Sequence, residues 1–356
     1  MRSFAFISLA LTLGIVQTAT AQPLKTMTRN VYLGANLTPA IGAPDLPSLV
    51  AATGQILNEV TYNDFPTRAE GLAQEILEKK PDLIGLQEVA LWRTATPADF
   101  TVLATGPSAT TVRYDYLEEL LGHLNQHKQE YEVVVVQNEF DFEAPADEDG
   151  DPDTGDPFYG ADINGRLTMR DVILARSAAY VRTWNEQGAH FATLLPVDIL
   201  GTPVPVVRGW TATDAWVRGS EPFRFVNTHL EAFNPLVRAA QAEELVAPDG
   251  PATSDLPVIL VGDLNSDDGG AAYELLLTAG MVPISTDEPL SCCLNSSLLG
   301  EEYGDISDFD HQVDHIMTRD PYNVLLRHSE VTGLEPVNGF WNSDHAGVFS
   351  RLRLRR

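Results

Sequence analysis

Cysteine is scarce in this sequence, and the scarcity excludes one class of protein. The only two cysteines of the 356-residue chain, Cys292 and Cys293, are adjacent. Neighbouring cysteines cannot staple distant segments together, so a small fold held by a disulfide framework is excluded. Three states stay open for the pair: a strained ring in a tight turn, two free thiols, or pairing between chains.

Basic residues are also few. The chain has 23 Lys and Arg against 50 Asp and Glu, a formal net charge of -27. Such a surface repels polyanions at long range, which argues against nucleic-acid binding through the overall electrostatic field. A local metal site would still allow contact with a phosphate.

Long apolar runs are absent beyond the first segment. Arg2 precedes an apolar stretch, residues 4–16, that is too short for a membrane span, and Ala19-Thr20-Ala21 resembles a cleavage site. We therefore expect residues 1–21 to be a signal peptide, and a buried N-terminal helix is the alternative. The mature chain is then secreted or periplasmic, with no transmembrane span.

Helix and strand patterns alternate to the end of the chain, which predicts a layered α/β fold with one core. Thr67 and Glu70 form a predicted capping box at the start of a helix. The predicted helices cover residues 67–79, 116–129, 234–245 and 270–277. The predicted strands cover residues 27–33, 83–89, 131–137, 172–176, 223–230, 258–261, 313–317 and 346–354.

An acidic segment interrupts this alternation. Residues 139–165 contain ten Asp or Glu and no Lys or Arg, which predicts a solvated loop insertion. A calcium site is the alternative. The spacing does not fit the helix-loop-helix calcium template, because Pro152 stands where that template needs glycine.

Polar side chains that can bind metal or transfer protons stand at the ends of several predicted strands. Strand ends are where a sheet exposes side chains to a cleft. Glu88 lies in a hydrophobic run, so it needs a metal or a basic partner such as Arg93. The other candidates are Asn30, His229, Asp263, Asn265, Asp314, Asp344 and His345. Carboxylate and amide oxygens dominate this set, which favours Mg²⁺, Mn²⁺ or Ca²⁺ over zinc.

Six motifs in order resemble the endonuclease/exonuclease/phosphatase superfamily. They are Arg29-Asn30-Val31, Leu86-Gln87-Glu88-Val89, Asn227-Thr228-His229-Leu230, Gly262-Asp263-Leu264-Asn265, Asp314-His315-Ile316 and Ser343-Asp344-His345. The resemblance implies a four-layer α-β-β-α sandwich, with two mixed sheets packed face to face and helices outside. It also implies that residues 22–356 form a single catalytic domain.

The resemblance further implies a role for each site residue. Glu88 would hold a divalent metal, Mg²⁺ by expectation and Mn²⁺ or Ca²⁺ otherwise, with Asn30 close by and Asp344 in support. Asp263 and Asn265 would contact the phosphate and the attacking water, or a second metal. His345, oriented by Asp314, would act on the water. His229 would contact the phosphoryl oxygens, and Asp171 would brace His229.

The implied activity is a metal-assisted phosphodiester hydrolysis by in-line attack of water. Three substrate classes stay open: nucleic acid, a phospholipid head group as in sphingomyelinases, and a small phosphate. The last would need a cation near the site, for which Arg93, Arg170 and Arg238 are the candidates. A non-catalytic binding module and a zinc hydrolase are the further alternatives, although no HExxH spacing is present. No stable protein partner is predicted.

Overall fold

The computed structural model of the protein describes residues 23–151, 159–178, 180–286, 290–295, 297–298 and 304–355. The predicted signal peptide lies outside these residues. Within these described residues, sixteen strands follow one another along the chain. They are β1 (Leu24–Asn30), β2 (Leu83–Gln87), β3 (Leu91–Ala95), β4 (Thr111–Asp115), β5 (Tyr131–Ala146), β6 (Ile163–Arg176), β7 (Val181–His190), β8 (Leu195–Ile199), β9 (Thr202–Val206), β10 (Gly209–Val217), β11 (Phe223–His229), β12 (Val258–Asp263), β13 (Val282–Pro283), β14 (Asp314–Thr318), β15 (Val324–Thr332) and β16 (Gly347–Leu354).

The strands form two large mixed sheets and one hairpin. The first sheet has the order β15-β16-β1-β2-β6-β3-β4, with β5 also paired to β6. The second has the order β13-β14-β12-β11-β10-β7, and β8 and β9 form the separate hairpin. Within the sheets β1 pairs with β2 in parallel, and so does β11 with β12. The carboxyl ends of each parallel pair therefore lie at the same sheet edge.

The two sheets pack face to face. Along each strand, successive side chains point alternately to the outer helices and to the other sheet. In β2, Ile84 and Leu86 face helices on the outer side, whereas Leu83 faces the second sheet. Phe225 and Val261 complete the core between the sheets. This alternation follows from the two-residue period of a strand. The four-layer sandwich predicted from the sequence is confirmed.

Helices cover both outer faces of the sandwich. They are α1 (Thr38–Ile41), α2 (Leu46–Tyr62), α3 (Phe65–Lys79), α4 (Val102–Thr105), α5 (Tyr116–Leu124), α6 (Pro235–Val246) and α7 (Ala271–Thr278). Helices α2, α3 and α5 pack on the first sheet, and α6 and α7 on the second. Among the described residues, no helix combines the length and the hydrophobicity that a membrane crossing requires.

Several predicted helix limits are wrong. Helix α3 begins at Phe65 rather than Thr67, because Pro66 favours the first helical turn. The predicted capping box is absent: Thr67 donates to the Asp64 carboxylate, and Glu70 accepts from Gln74. Helix α5 ends at Leu124, well before residue 129. Helix α2, the longest described, is not among the predicted elements.

The acidic segment is not a loop along its whole length. Strand β5 continues to Ala146 and β6 begins at Ile163, so among the described residues of this segment only 147–151 and 159–162 lie outside strands. Within β5, Glu143 is buried and accepts hydrogen bonds from the backbone amides of Ser108 and Ala109 at 2.6 and 2.7 Å. The count of acidic residues did not predict the burial of Glu143. A carboxylate can be buried when hydrogen-bond donors surround it. Residues 152–158, which include Asp153 and Asp156 of the alternative calcium site, lie outside the described part.

Candidate active site

The strand ends predicted to carry chemistry meet at one edge of the sandwich. In the second sheet, His229 lies opposite Asp263, and Asp263 lies opposite Asp314 on the next strand. In the first sheet, Asn30 at the end of β1 lies opposite Gln87, directly before Glu88. The two parallel pairs bring these positions together, since each pair ends at one edge.

His345 and Asp314 form a buried pair. The Nδ1 atom of His345 lies 2.8 Å from Oδ2 of Asp314, which also accepts a hydrogen bond from Oγ of Ser291 at 2.8 Å. With Nδ1 donating to the carboxylate, Nε2 of His345 faces the cleft. Burial disfavours the imidazolium, but Asp314 and Asp263 outweigh burial and raise the pKa of His345 well above its ordinary value.

Asp263 lies at the centre of the cluster. Its Oδ2 accepts from Nδ2 of Asn30 at 3.0 Å and lies 3.4 Å from Nε2 of His229 and 3.7 Å from Nε2 of His345. Its Oδ1 accepts from the backbone amide of Asn265 at 2.8 Å. Burial raises the pKa of Asp263 to about 6, against the opposing pull of His345.

Asn265 has a structural contact as well as a place in the cleft. Its side-chain amide donates to the carbonyl of Leu230 at 3.0 Å, which ties the end of β12 to the end of β11. Asn265, Glu88 and Tyr32 have φ angles of 48°, 57° and 58°, in the left-handed region that non-glycine residues rarely adopt. Such backbone strain concentrates at functional sites.

Glu88 and Asp344 line one end of a cleft beside this cluster. Oε2 of Glu88 accepts from the backbone amide of Leu33 at 2.8 Å, while Oε1 lies 4.0 Å from Nε2 of His229. The alternative ion pair of Glu88 with Arg93 is not formed, because Arg93 contacts Thr168 instead. Burial raises the pKa of Asp344 to about 7, and the charge of Glu88 adds to the rise.

His229 is held by an arginine that the sequence prediction missed. Nη1 of Arg208 lies 2.8 Å from Nδ1 of His229 and 3.3 Å from Nε2, and an arginine can only donate, so we assign the nearer nitrogen, Nδ1, as the acceptor. The proton of the neutral ring then sits on Nε2, facing Asp263 and Glu88. Burial, followed by the charge of Arg208, lowers the pKa of His229 well below its ordinary value.

Two buried acids accompany Arg208. Burial raises the pKa of Asp171 to about 8 and that of Glu139 to about 10. Their carboxylate oxygens accept no hydrogen bond from any residue that the structure describes. The predicted contact of Asp171 with His229 is therefore wrong, since Arg208 makes it instead. Arg208 lies between the apolar strands β9 and β10. Its position between them is the sequence feature that could have marked it as a site residue.

The other arginines proposed as phosphate contacts have structural partners. Arg170 donates to the carbonyls of Val89 and Ala90 and so fixes the turn after Glu88. Arg238 donates to the carbonyls of Glu231 and Ala232, after His229. Both support the backbone next to a site residue.

The two cysteines adjoin the site. Cys292 and Cys293 are joined by a disulfide, and each sulfur lies 3.8 Å from Nε2 of His345. The residues on either side of the disulfide contact two acids of the site. Ser291 donates a hydrogen bond to the carboxylate of Asp314, and the backbone amide of Leu294 donates one to the backbone carbonyl of Asp344.

The donor set fits a divalent cation. Three carboxylates, those of Glu88, Asp263 and Asp344, lie close enough to influence one another, and the pKa values of the two aspartates are raised. Oε1 of Glu88 accepts no hydrogen bond from the described residues and is free to bind an ion. A second group of ligand atoms, on Asp263, Asp314 and His345, lies within 4.8 Å of one another. Oxygen donors of this kind suit hard cations.

The family model for the endonuclease/exonuclease/phosphatase family matches residues 30–345. The chain belongs to the endonuclease/exonuclease/phosphatase family. The matched range begins at Asn30 and ends at His345, two residues of the cluster described above. Members of this family act on phosphoesters, so the family supports a hydrolase.

Solved structures of this family have the same fold. An endonuclease/exonuclease/phosphatase from Bacteroides vulgatus is 16% identical with a TM-score of 0.55, covering 94% of this chain and 100% of its own. A mannosyl-6-phosphatase of Bacteroides thetaiotaomicron is 15% identical with a TM-score of 0.54, covering 92% and 99%. The human Nocturnin catalytic domain with bound sulfate is 16% identical with a TM-score of 0.51, covering 94% and 95%. At these identities the likeness shows the fold alone. No curated protein sequence matches the chain.

Proposed function

We propose that this family member is a divalent-metal-dependent hydrolase that cleaves a phosphodiester by in-line attack of water. One observation carries the proposal. Two histidines face the same carboxylate, and the pKa of one is lowered while the pKa of the other is raised. Nε2 of His229 and Nε2 of His345 lie 3.4 and 3.7 Å from Oδ2 of Asp263. One ring is held neutral with its proton toward the cleft, and the other is paired with Asp314.

Glu88, Asp344 and Asn30 are the residues that would hold the principal cation, as the sequence predicts. A bound Mg²⁺ supplies Lewis-acid stabilisation of the negative charge that develops on the phosphoryl oxygens. The raised pKa values of Asp344 and Asp263 support this assignment, because a cation relieves the repulsion among buried carboxylates.

His229 is arranged to donate a hydrogen bond. Arg208 occupies Nδ1, which leaves the Nε2 proton for a phosphoryl or leaving-group oxygen. Because the pKa of His229 is lowered, the ring stays neutral and adds no charge that would compete with the cation. Its role is therefore to orient and stabilise the phosphate.

His345 is arranged to handle the proton of the attacking water. Asp314 fixes the ring through Nδ1 and stabilises the imidazolium that forms when Nε2 takes up a proton. In the metal-free protein, Asp263 and Asp314 raise the pKa of His345, which favours the protonated ring. A cation held by the neighbouring carboxylates would weaken their pull on this proton and would let the ring act as a base.

We also propose that the enzyme acts outside the cytoplasm, as the signal-like first residues indicate. The net charge of -27 favours a substrate without a large negative charge of its own. The first statement can be checked on the native host by the mass of the N-terminus in the secreted or periplasmic fraction, and the second by the substrate panel that follows.

The test is hydrolysis of bis(p-nitrophenyl) phosphate and of a panel with DNA, RNA, sphingomyelin and inositol phosphates. We expect turnover with Mg²⁺ or Mn²⁺ and none with a chelator. His345→Ala should lower kcat by roughly 10²–10⁴-fold, the usual contribution of general acid–base catalysis. The control is His328→Ala, on the exposed part of β15. Activity that survives the chelator or His345→Ala would contradict the mechanism.

A further inference from the structure

A cavity of about 190 Å³ borders the site, because Glu88 and Asp344 are among its lining residues. Arg208 is the third charged residue in its walls. The other walls are mostly hydrophobic, and they include Phe233, which is 56% exposed. We call this cavity the outer pocket. The walls include Leu33, Leu37, Ile41, Phe140, Met169 and Val206.

A second cavity of about 60 Å³ lies next to the first. It shares Leu37, Ile41 and Phe140 with the outer pocket, so the two cavities are neighbours separated only by these side chains. No charged residue lines it, and its walls include Trp92 and Leu167. We call it the inner pocket. We call the two adjacent pockets together the path, and a chain that fills both would have to pass the shared side chains of Leu37, Ile41 and Phe140.

The chemistry of the path limits what can occupy it. A sugar or a charged group would lose its hydrogen bonds to water on entry and gain none from these walls. A cavity of roughly 150 Å³ with aliphatic and aromatic walls stays dry and accepts a benzene-sized molecule. The outer pocket is somewhat larger, and the inner pocket extends it in one direction, which suits a linear chain better than a single ring.

We infer that the two pockets bind the aliphatic chain of an alkyl phosphodiester while its phosphate lies at the cation that Glu88 and Asp344 would hold. The inference rests on the proposed function and names its substrate class. The continuity of the apolar walls with the charged end argues for it, because one molecule with a phosphate and an alkyl chain would fill both. The chain's net charge of -27 favours a substrate whose second group is a zwitterion-forming cation such as choline.

The experiment is a chain-length series. Choline phosphodiesters with butyl, hexyl, octyl and decyl groups are assayed as monomers with Mg²⁺, and both cleavage products are measured. Each methylene that leaves water for the pockets should raise kcat/KM by about fourfold, until the path is full. Calorimetry in chelator, where turnover is stopped, should show the same trend in Kd.

Two variants locate the effect. Ala40 lines only the inner pocket and Ile41 lies at the junction, and both stand on α1, which has no buried residues. Ala40→Phe should flatten the series for the longer chains only, and Ile41→Trp should flatten it from shorter chains onward. The matched control is Ala51→Phe on the exposed face of α2, which lines neither pocket and should keep the wild-type series.

The outcomes separate the two proposals. Metal-dependent turnover of bis(p-nitrophenyl) phosphate with equal kcat/KM along the alkyl series would overturn the alkyl pocket and leave the hydrolase intact. A rising series that Ala40→Phe and Ile41→Trp do not change would also overturn it, because the chain would then bind elsewhere. No turnover of any phosphodiester with any divalent cation would overturn the proposed function itself.

Discussion

Proton competition should make the affinity for Mg²⁺ depend steeply on pH. In the metal-free protein the pKa of Asp344 is raised to about 7 and that of Asp263 to about 6, so near pH 5 both carboxyls hold protons that a cation must displace. The unfolded chain has released these protons already. A raised carboxyl pKa therefore stabilises the metal-free fold at acidic pH, and this stability is lost as the pH rises through 6 and 7.

The size of the effect follows from these pKa values. Between pH 5 and pH 8, the free energy of unfolding of the metal-free protein should fall by about 2–3 kcal/mol through Asp344 and by about 1–2 kcal/mol through Asp263. The cation binds the ionised form and recovers this loss. The Kd for Mg²⁺ should accordingly decrease by about 10³-fold over the same range, the equivalent of about 4 kcal/mol.

Calorimetric titration of Mg²⁺ at pH 5, 6, 7 and 8 measures this, with urea denaturation of the chelated protein in parallel. Asp344→Asn should bind more weakly and retain only about a tenfold change in Kd, the share of Asp263. Asp255→Asn is the control, since Asp255 is exposed and away from the cluster. An Mg²⁺ affinity that is the same at pH 5 and pH 8 would refute the reasoning.

Three further predictions concern single side chains. Asp314→Asn should lower kcat by roughly 10²–10⁴-fold with little change in KM in steady-state kinetics, because it disturbs the orientation of the histidine ring; unchanged kcat would count against the pair. Arg208→Met should lower kcat roughly tenfold to a hundredfold and shift the pH profile of kcat, because Nδ1 of His229 loses its hydrogen-bond donor. A lower kcat with an unchanged pH profile would indicate that Arg208 has a structural role only. Gly85→Ala should destabilise the fold by about 1–3 kcal/mol in urea denaturation, because the new Cβ would meet the side chains of Asn227 and Val261 at 2.5 Å. Gly122→Ala, on an exposed helix face with open space, should instead be neutral or stabilising by up to about 1 kcal/mol.

The sequence was sufficient to predict which strand ends carry the residues of the site. Apolar strands that run into Glu88, His229 and Asp263 identify strand ends, because a polar residue after a buried strand marks the point where the chain leaves the core. That the strands also meet at one edge depends on the parallel pairing of β1 with β2 and of β11 with β12. Short local patterns do not contain such pairing, and the family motifs supplied it.

Arg208 and Glu139 could not be recognised in the same way. Each is a single charge in a strand or strand junction, where an exposed edge position has the same local pattern. Their burial comes from the tertiary packing of β5, β6 and β10, which brings Glu139, Asp171 and Arg208 together. The limits of two helices were predicted wrongly for a related reason. Pro66 lies in the first turn of α3 and Asn125 caps the end of α5, and apolar periodicity does not detect either of these terminal residues.

The disulfide next to His345 has a practical consequence for handling the protein. Cleaving it with a dithiol reductant leaves two thiols and an imidazole whose ligand atoms lie within 4.8 Å of one another. Sulfur and nitrogen donors of this kind select zinc or copper(I) rather than magnesium. We therefore expect a preparation kept in reductant to bind trace zinc or copper(I) at Cys292, Cys293 and His345. The resulting loss of activity would be mistaken for instability of the protein.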